Sequence, residues 1–247
     1  MIPKKIHYCW FGRNPLPESA RKCIASWRKY LPDYQIIEWN EDNFDVNSIP
    51  YTTQAYEAKK YAFVSDYARF KILYEHGGLY FDTDVEVIKP MDGIIAQGPF
   101  MGFEINQWAV RPCGAVNPGL GIGAEKGMGL YASILDYYGR LSFLNTDGSY
   151  NITDAVVNIT TRELVKAGLK QHEGIQSIEG ITLYPSDYFN PFDDATGRLK
   201  TTRNTHTIHW YSKTWMEVNP WRQQLARLMH RLIGVNAITK LRKSFSR

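Results

Sequence analysis

Lys5-Ile6-His7-Tyr8-Cys9-Trp10-Phe11-Gly12-Arg13-Asn14-Pro15, followed by Gln35-Ile36-Ile37-Glu38-Trp39, is the stretch that decides the fold class. Residues 3–9 alternate weakly and read as a strand, with Lys5 to Cys9 as its body; Gly12 and Pro15 break it into a loop at the strand's carboxyl end. Residues 17–30 read as a helix that stops near Leu31-Pro32, and 34–39 read as a second strand around Gln35 to Trp39. Strand, loop, helix and strand in that order predict a parallel, Rossmann-like α/β sheet. Residues 54–76 are the longest helical stretch, apolar at Ala62, Phe63, Phe70, Leu73 and Tyr74, with Gly77-Gly78 as its C-terminal cap. Leu79-Tyr80-Phe81 reads as a short strand, Asp82-Thr83-Asp84 follows it, and Val85 to Ile88 reads as another strand stopped by Pro90. Residues 91–150 read as Gly-rich and irregular, 153–167 as a helix, 182–185 and 207–210 as late strands. Residues 220–233 read as a basic amphipathic helix followed by a second short one. With no internal repeat and no boundary before residue 220, the expected organisation is one domain over 1–220 and a basic helical extension over 221–247.

The chain has 247 residues, 44% of them hydrophobic and 22% charged, which suits a globular domain with a full core and excludes wholesale disorder. Three cysteines, Cys9, Cys23 and Cys113, lack metal-ligand spacing and fit a reducing compartment. No apolar run approaches the roughly 20 residues that span a bilayer, and Met1-Ile2-Pro3-Lys4-Lys5 does not open a signal peptide; the expected location is cytoplasmic. Residues 221–247 hold seven Lys or Arg and no acid. Against a total of +4, that leaves the first 220 residues at −3.

The candidate chemistry starts at Asp82-Thr83-Asp84. Two carboxylates at a strand end can grip a divalent cation that holds a diphosphate. Thirteen Asp give roughly 0.7 such pairs by chance, so a solvated turn is an equal reading of the pair alone. Its place beyond the carboxyl end of a buried strand favours a ligand, and a cation relieves the repulsion of the two charges. Asp66 and Arg69 share one helix face, as an ordinary ion pair or as a pair that binds sugar hydroxyls. Trp10 either stacks on a ring or plugs the core. In His209-Trp210-Tyr211-Ser212-Lys213-Thr214-Trp215, the His either completes a metal shell or is a core residue. The chain has no Gly-x-Gly-x-x-Gly, Walker loop, Gly-x-Ser-x-Gly or His-Glu-x-x-His, so hydride transfer, P-loop chemistry, serine hydrolysis and zinc proteolysis lose support.

Taken together, these segments resemble glycosyltransferase family 32. Ile2 to His7 with Trp10 resembles its opening. Ser65-Asp66-Tyr67-Ala68-Arg69, Leu73-Tyr74, Gly77-Gly78, Tyr80, Asp82 and Asp84 resemble its central signature, shared with a group of mannosyltransferases and the large clostridial glucosylating toxins. His209 to Trp215 resembles its closing motif. The resemblance implies a GT-A-type fold, a single Rossmann-like domain with a mixed central sheet that binds a UDP-sugar with Mn²⁺ or Mg²⁺ and transfers a hexose with retention. It also implies site roles. Trp10 stacks on the nucleobase, Ser65 sits near the nucleoside, Asp66 and Arg69 hold donor-sugar hydroxyls, and Tyr80 approaches the diphosphate. Asp82 contacts ribose, sugar or metal, and Asp84 ligates the metal. His209 completes the shell, with Ser212 and Thr214 as further candidates, and Trp215 closes the donor site. Asp66, Arg69, Asp82 and Asp84 are the expected catalytic set.

The expected partners are a UDP-sugar, UDP-Glc or UDP-Gal first, and a glycan acceptor on a polyprenyl-diphosphate carrier, as in capsule or O-antigen synthesis. Gly-rich residues 112–130 and Asp154 are candidates for lining the acceptor site. Two other readings stand beside the transferase: a nucleotide-sugar hydrolase or nucleotidyltransferase on the same metal site, and a non-catalytic carbohydrate-binding protein. The basic 221–247 segment suits an anionic membrane surface or packs on the domain; nucleic acid is disfavoured by the acidic body.

Overall fold

The computed structural model describes residues 1–104, 114–170, 174–212 and 220–233. Cys113, Lys213, Thr214, Trp215 and the expected second helix after residue 233 lie outside them. In chain order the elements are β1 (Lys5–Cys9), α1 (Glu18–Tyr30), β2 (Gln35–Trp39), α2 (Pro50–Glu57), α3 (Tyr61–His76), β3 (Gly78–Tyr80), β4 (Val85–Val87), α4 (Asp92–Ile95) and β5 (Phe100–Glu104). Then come β6 (Ala115–Val116), β7 (Ile122–Ala124), α5 (Gly129–Gly139), α6 (Val156–Lys166), β8 (Gln176–Ile178), β9 (Ile181–Tyr184), α7 (Ser186–Phe189), β10 (Phe192–Asp193), β11 (Arg198–Leu199), β12 (Thr207–His209) and α8 (Pro220–Ile233).

The main sheet runs β2-β1-β3-β7-β5-β9-β8. Its opening half is parallel, β1 pairing with both β2 and β3, as the strand–helix–strand pattern predicts. β7 then enters antiparallel between β3 and β5, so the sheet is mixed. Side chains alternate across it. Leu79 and Phe81 join a core with Ile6, Trp27 and Phe100 on one face; Tyr80 joins α3, α5 and α6 residues on the other. Trp27 of α1 donates from Nε1 to the Val85 carbonyl at 2.7 Å and fixes β4 against that helix.

Two expectations need correction. The helix expected over 54–76 is two helices, because Lys59 adopts φ +57° and Lys60 N–H bonds back to Ala55 O at 2.8 Å, closing α2 without a glycine. The expected Gly77 cap does form, at φ +62°, with its N–H on Leu73 O. Residues 91–150 are also not an irregular run: they supply β5 and β7 at the sheet's centre and the helix α5. Gly123 is there for close packing rather than a turn, since a Cβ would lie 2.3 Å from the Phe100 ring. Among the described residues no helix is long and apolar enough to cross a membrane.

Candidate metal and donor-sugar site

Asp82-Thr83-Asp84 turns the chain from β3 into β4, closed by the Val85 N–H on the Asp82 carbonyl at 3.0 Å. The turn keeps both carboxylates at the carboxyl end of the parallel strands. β12 pairs antiparallel with β4 and sets His209 opposite Val85; Trp210 N–H then bonds Asp84 O at 3.0 Å. That register delivers His209 across 125 residues of sequence. Its Nε2 lies 3.1 Å from Asp84 Oδ1, while Ser212 donates to Oδ2 from its N–H at 2.7 Å and from Oγ at 3.0 Å.

Asp82 faces the other way, toward α3. Its Oδ1 accepts from the Tyr80 hydroxyl at 3.0 Å and lies 3.3 Å from Arg69 Nη2. Arg69 is 4% exposed, pairs with Asp66 at 2.8 Å and stands 5.1 Å over the Tyr80 ring. One arginine thus links the helix pair to the strand-end pair. The ion-pair and ligand readings of Asp66–Arg69 are not exclusive here: the pair is an ion pair, and it stands at the site.

Burial dominates the electrostatics. It pushes Asp66 up to about 7, with Arg69 pulling down and Asp82 adding to the rise. Burial also opposes ionisation of Asp84, but the charge and hydrogen bond of His209 with the two Ser212 bonds outweigh it and hold Asp84 below the usual carboxylate range. His209 is pulled down by burial and up by Asp84, with a net rise. Cys9, at the end of β1, is pushed up to about 12 by burial, with Arg69 lowering it and Asp82 and Asp66 raising it.

Asp82, Asp84 and His209 offer ligand atoms that all lie within 4.8 Å of one another. Two carboxylate oxygens and one imidazole nitrogen are a set of donors that can hold a metal ion. The His209 Nδ1 is buried with no hydrogen-bond partner among the described residues, so the ring is not committed to a core network. The donor set fits a divalent ion.

The other expected residues sit as follows. Trp10 follows β1, half-buried, its Nε1 donating to Asn14 O at 2.6 Å. Ser65 spends its hydroxyl on Tyr61 O at 3.2 Å, within α3. Asp154 lies before α6 and accepts from the Tyr137 hydroxyl and Asn151. Three more residues join the site, Ser212 from the closing motif and Asn117 and Gly119 from the Gly-rich 112–130 stretch. Ser212 donates to Asp84 Oδ2 from both its N–H and its hydroxyl. Asn117 donates to Glu104 at 2.9 Å and accepts from Gly119 N–H at 2.7 Å. Gly119 packs so closely that a Cβ would stand 2.3 Å from Asp82 Oδ2.

The chain is similar to several glycosyltransferases. Inositol phosphoceramide mannosyltransferase 1 of Schizosaccharomyces pombe is 31% identical over 116 residues, 40% of this chain. That match spans only 33% of the mannosyltransferase's own length. The uncharacterized glycosyltransferase L373 of Acanthamoeba polyphaga mimivirus is 26% identical over 198 residues, 77% of this chain and 74% of that one. Among solved structures, PaToxG glycosyltransferase superposes with a TM-score of 0.50 at 20% identity, over 67% of this chain and 69% of its own. A glycosyltransferase involved in glycosylation of the major capsid of PBCV-1 does so with 0.51 at 12% identity, over 92% and 100%. The family model described as the glycosyltransferase sugar-binding region containing the DXD motif matches residues 17–101. Asp82-Thr83-Asp84 is the Asp-x-Asp sequence inside that matched span, and the chain shares the mixed α/β, GT-A-type fold of the two solved structures.

Proposed function

We propose that the chain is a retaining, metal-dependent hexosyltransferase that moves a hexose from a UDP-sugar to a glycan acceptor. The observation that carries this reading is the convergence of Asp82, Asp84 and His209 at one strand end, with Asp66 and Arg69 tied to Asp82. In this reading the three converged residues hold Mn²⁺ or Mg²⁺, which when bound supplies Lewis-acid stabilisation to the departing diphosphate. Asp66 accepts from donor-sugar hydroxyls, Arg69 donates to them, Tyr80 orients Asp82, and Trp10 and Trp215 pack on the donor. Buried beside Asp66, Arg69 keeps its charge without water, which makes its hydrogen bonds strong.

For retention we favour same-face attack. The acceptor oxygen bonds to the anomeric carbon as its bond to the diphosphate breaks, and the acceptor proton passes to the leaving phosphate oxygen. Asp66 is a poor nucleophile for double displacement because it is paired with Arg69 and its carboxyl is raised to about 7. A lipid-carried glycan, as in capsule or O-antigen assembly, is the acceptor we favour; one relative is by name a phosphoceramide mannosyltransferase.

The test is a thermal-shift panel of UDP-Glc, UDP-Gal, UDP-GlcNAc, UDP-GalNAc and GDP-Man with and without Mn²⁺. A donor at 100 times its Kd adds about 2.7 kcal/mol. We expect one UDP-hexose to stabilise the protein only with metal and to release UDP on turnover. No shift with any donor plus metal sinks the reading; pyrophosphate as product assigns nucleotidyl transfer instead.

A further inference from the structure

An amphipathic helix on a domain surface ordinarily turns its apolar stripe to the core. Helix α8 does the reverse. Arg227 bonds the Asp194 carbonyl at 3.1 Å and its carboxylate at 2.9 Å, His230 Nδ1 sits 2.8 Å from Ala195 O, and Arg231 bonds Thr196 O at 2.6 Å. The polar side thus straps the helix to the turn between β10 and β11. Gly197, at φ +64°, makes room: a Cβ there would lie 2.9 Å from Arg227 Cδ. On the opposite side Trp221, Leu225, Leu228 and Met229 are 81%, 61%, 50% and 38% exposed. Their spacing of i, i+4, i+7 and i+8 makes one continuous stripe.

We propose that α8 is a membrane-surface anchor that seats this stripe at the headgroup–acyl boundary of an anionic bilayer. Charge chooses the occupant. Residues 221–247 hold seven Lys or Arg and no acid, while the rest of the chain is net negative. Arg227 and Arg231 are held on the body side, and the other five, with no acid in the segment, are the charge that anionic lipid neutralises and that a second copy of the chain would only double. The strap also fixes orientation. Phe192 of β10 packs on Trp210 at 5.5 Å, one residue from His209, so a seated helix holds the site's strand near the lipid surface. That consequence rests on the proposed function; the anchoring does not.

The experiment is co-sedimentation of the full chain with vesicles of phosphatidylcholine alone and of phosphatidylcholine mixed with phosphatidylglycerol, without donor or metal. We expect binding to the mixed vesicles, weakened by salt. L225S/L228S should bind at least about tenfold more weakly, or about 1.4 kcal/mol, with unchanged circular dichroism because both side chains are exposed. Three results would overturn the proposal: wild type left in the supernatant with anionic vesicles, a double variant that binds like wild type, or a wild-type dimer in sedimentation velocity that the double variant converts to monomer.

Discussion

Arg69 is buried with Asp66 at 2.8 Å and Asp82 at 3.3 Å, so removing its guanidinium leaves two carboxylates without their cation. Breaking such a buried pair costs about 3–5 kcal/mol. Arg69→Met should lower the urea-unfolding free energy toward the bottom of that range, because Asp66, already near 7, relieves part of the cost by taking up a proton. Asp84 presents a different case. Asp84→Asn keeps the shape but not the charge; turnover should fall on the order of 10²-fold and the Mn²⁺-dependent thermal shift should vanish. If either survives, Asp84 is not the metal residue. Gly119→Ala tests the close approach to Asp82: the carboxylate must move, so metal-dependent donor binding should weaken about tenfold while Gly129→Ala, with open space around it, changes nothing. The acids were legible in the sequence because Asp82-Thr83-Asp84 and Asp66–Arg69 are short-range patterns. Gly119 was legible only as one glycine of the 112–130 stretch and not as a neighbour of Asp82, which it reaches only after β7 has paired with β3.

At the scale of elements, the carboxyl ends of β1 and β2 were readable at Cys9 and Trp39, since both stretches are bounded by turn residues, and their starts ran early, at 3 and 34. β5 and β7 were not readable. They are short and almost wholly buried, so they show no polar alternation, and their glycines mimic loops. What holds β1 to the α3–β3 turn is His7: its Nε2–H donates to Gly77 O at 3.0 Å and its Nδ1 accepts from Trp39 Nε1 at 3.0 Å. The Trp39 bond needs the neutral ring while the Gly77 bond survives protonation, and burial lowers the ring's titration to about 4 against 6.5 for the unfolded chain. Between those values the unfolded state binds more protons, so stability rises with pH and is lost as pH falls from 6.5 toward 4. The loss should be on the order of 3 kcal/mol. Chemical denaturation of wild type and His7→Gln across that window checks it. The variant's curve should be flatter by this amount, and parallel curves would show that His7 does not carry the dependence.

At the scale of the whole molecule, the division into a domain over 1–220 and an extension over 221–247 is our proposal, and the contacts of α8 say how to test it. The helix meets the body through Arg227, His230 and Arg231 on the Asp194–Gly197 turn. The Arg227–Asp194 pair is part exposed, and pairs of that kind contribute about 0–1 kcal/mol. Among the described residues of α8, none belongs to either core cluster. A chain ending at residue 220 should therefore stay folded, melting within a few degrees of the full chain, since about 1 kcal/mol moves the Tm of a protein this size by roughly 2–4 °C. It should keep the donor-plus-Mn²⁺ thermal shift, because Asp82, Asp84 and His209 are held by β3, β4 and β12. It should lose vesicle binding altogether. Scanning calorimetry and co-sedimentation on the same preparation separate the two properties. A truncated chain that fails to fold would make α8 part of the domain, and one that folds but loses the donor shift would place the extension in the donor site.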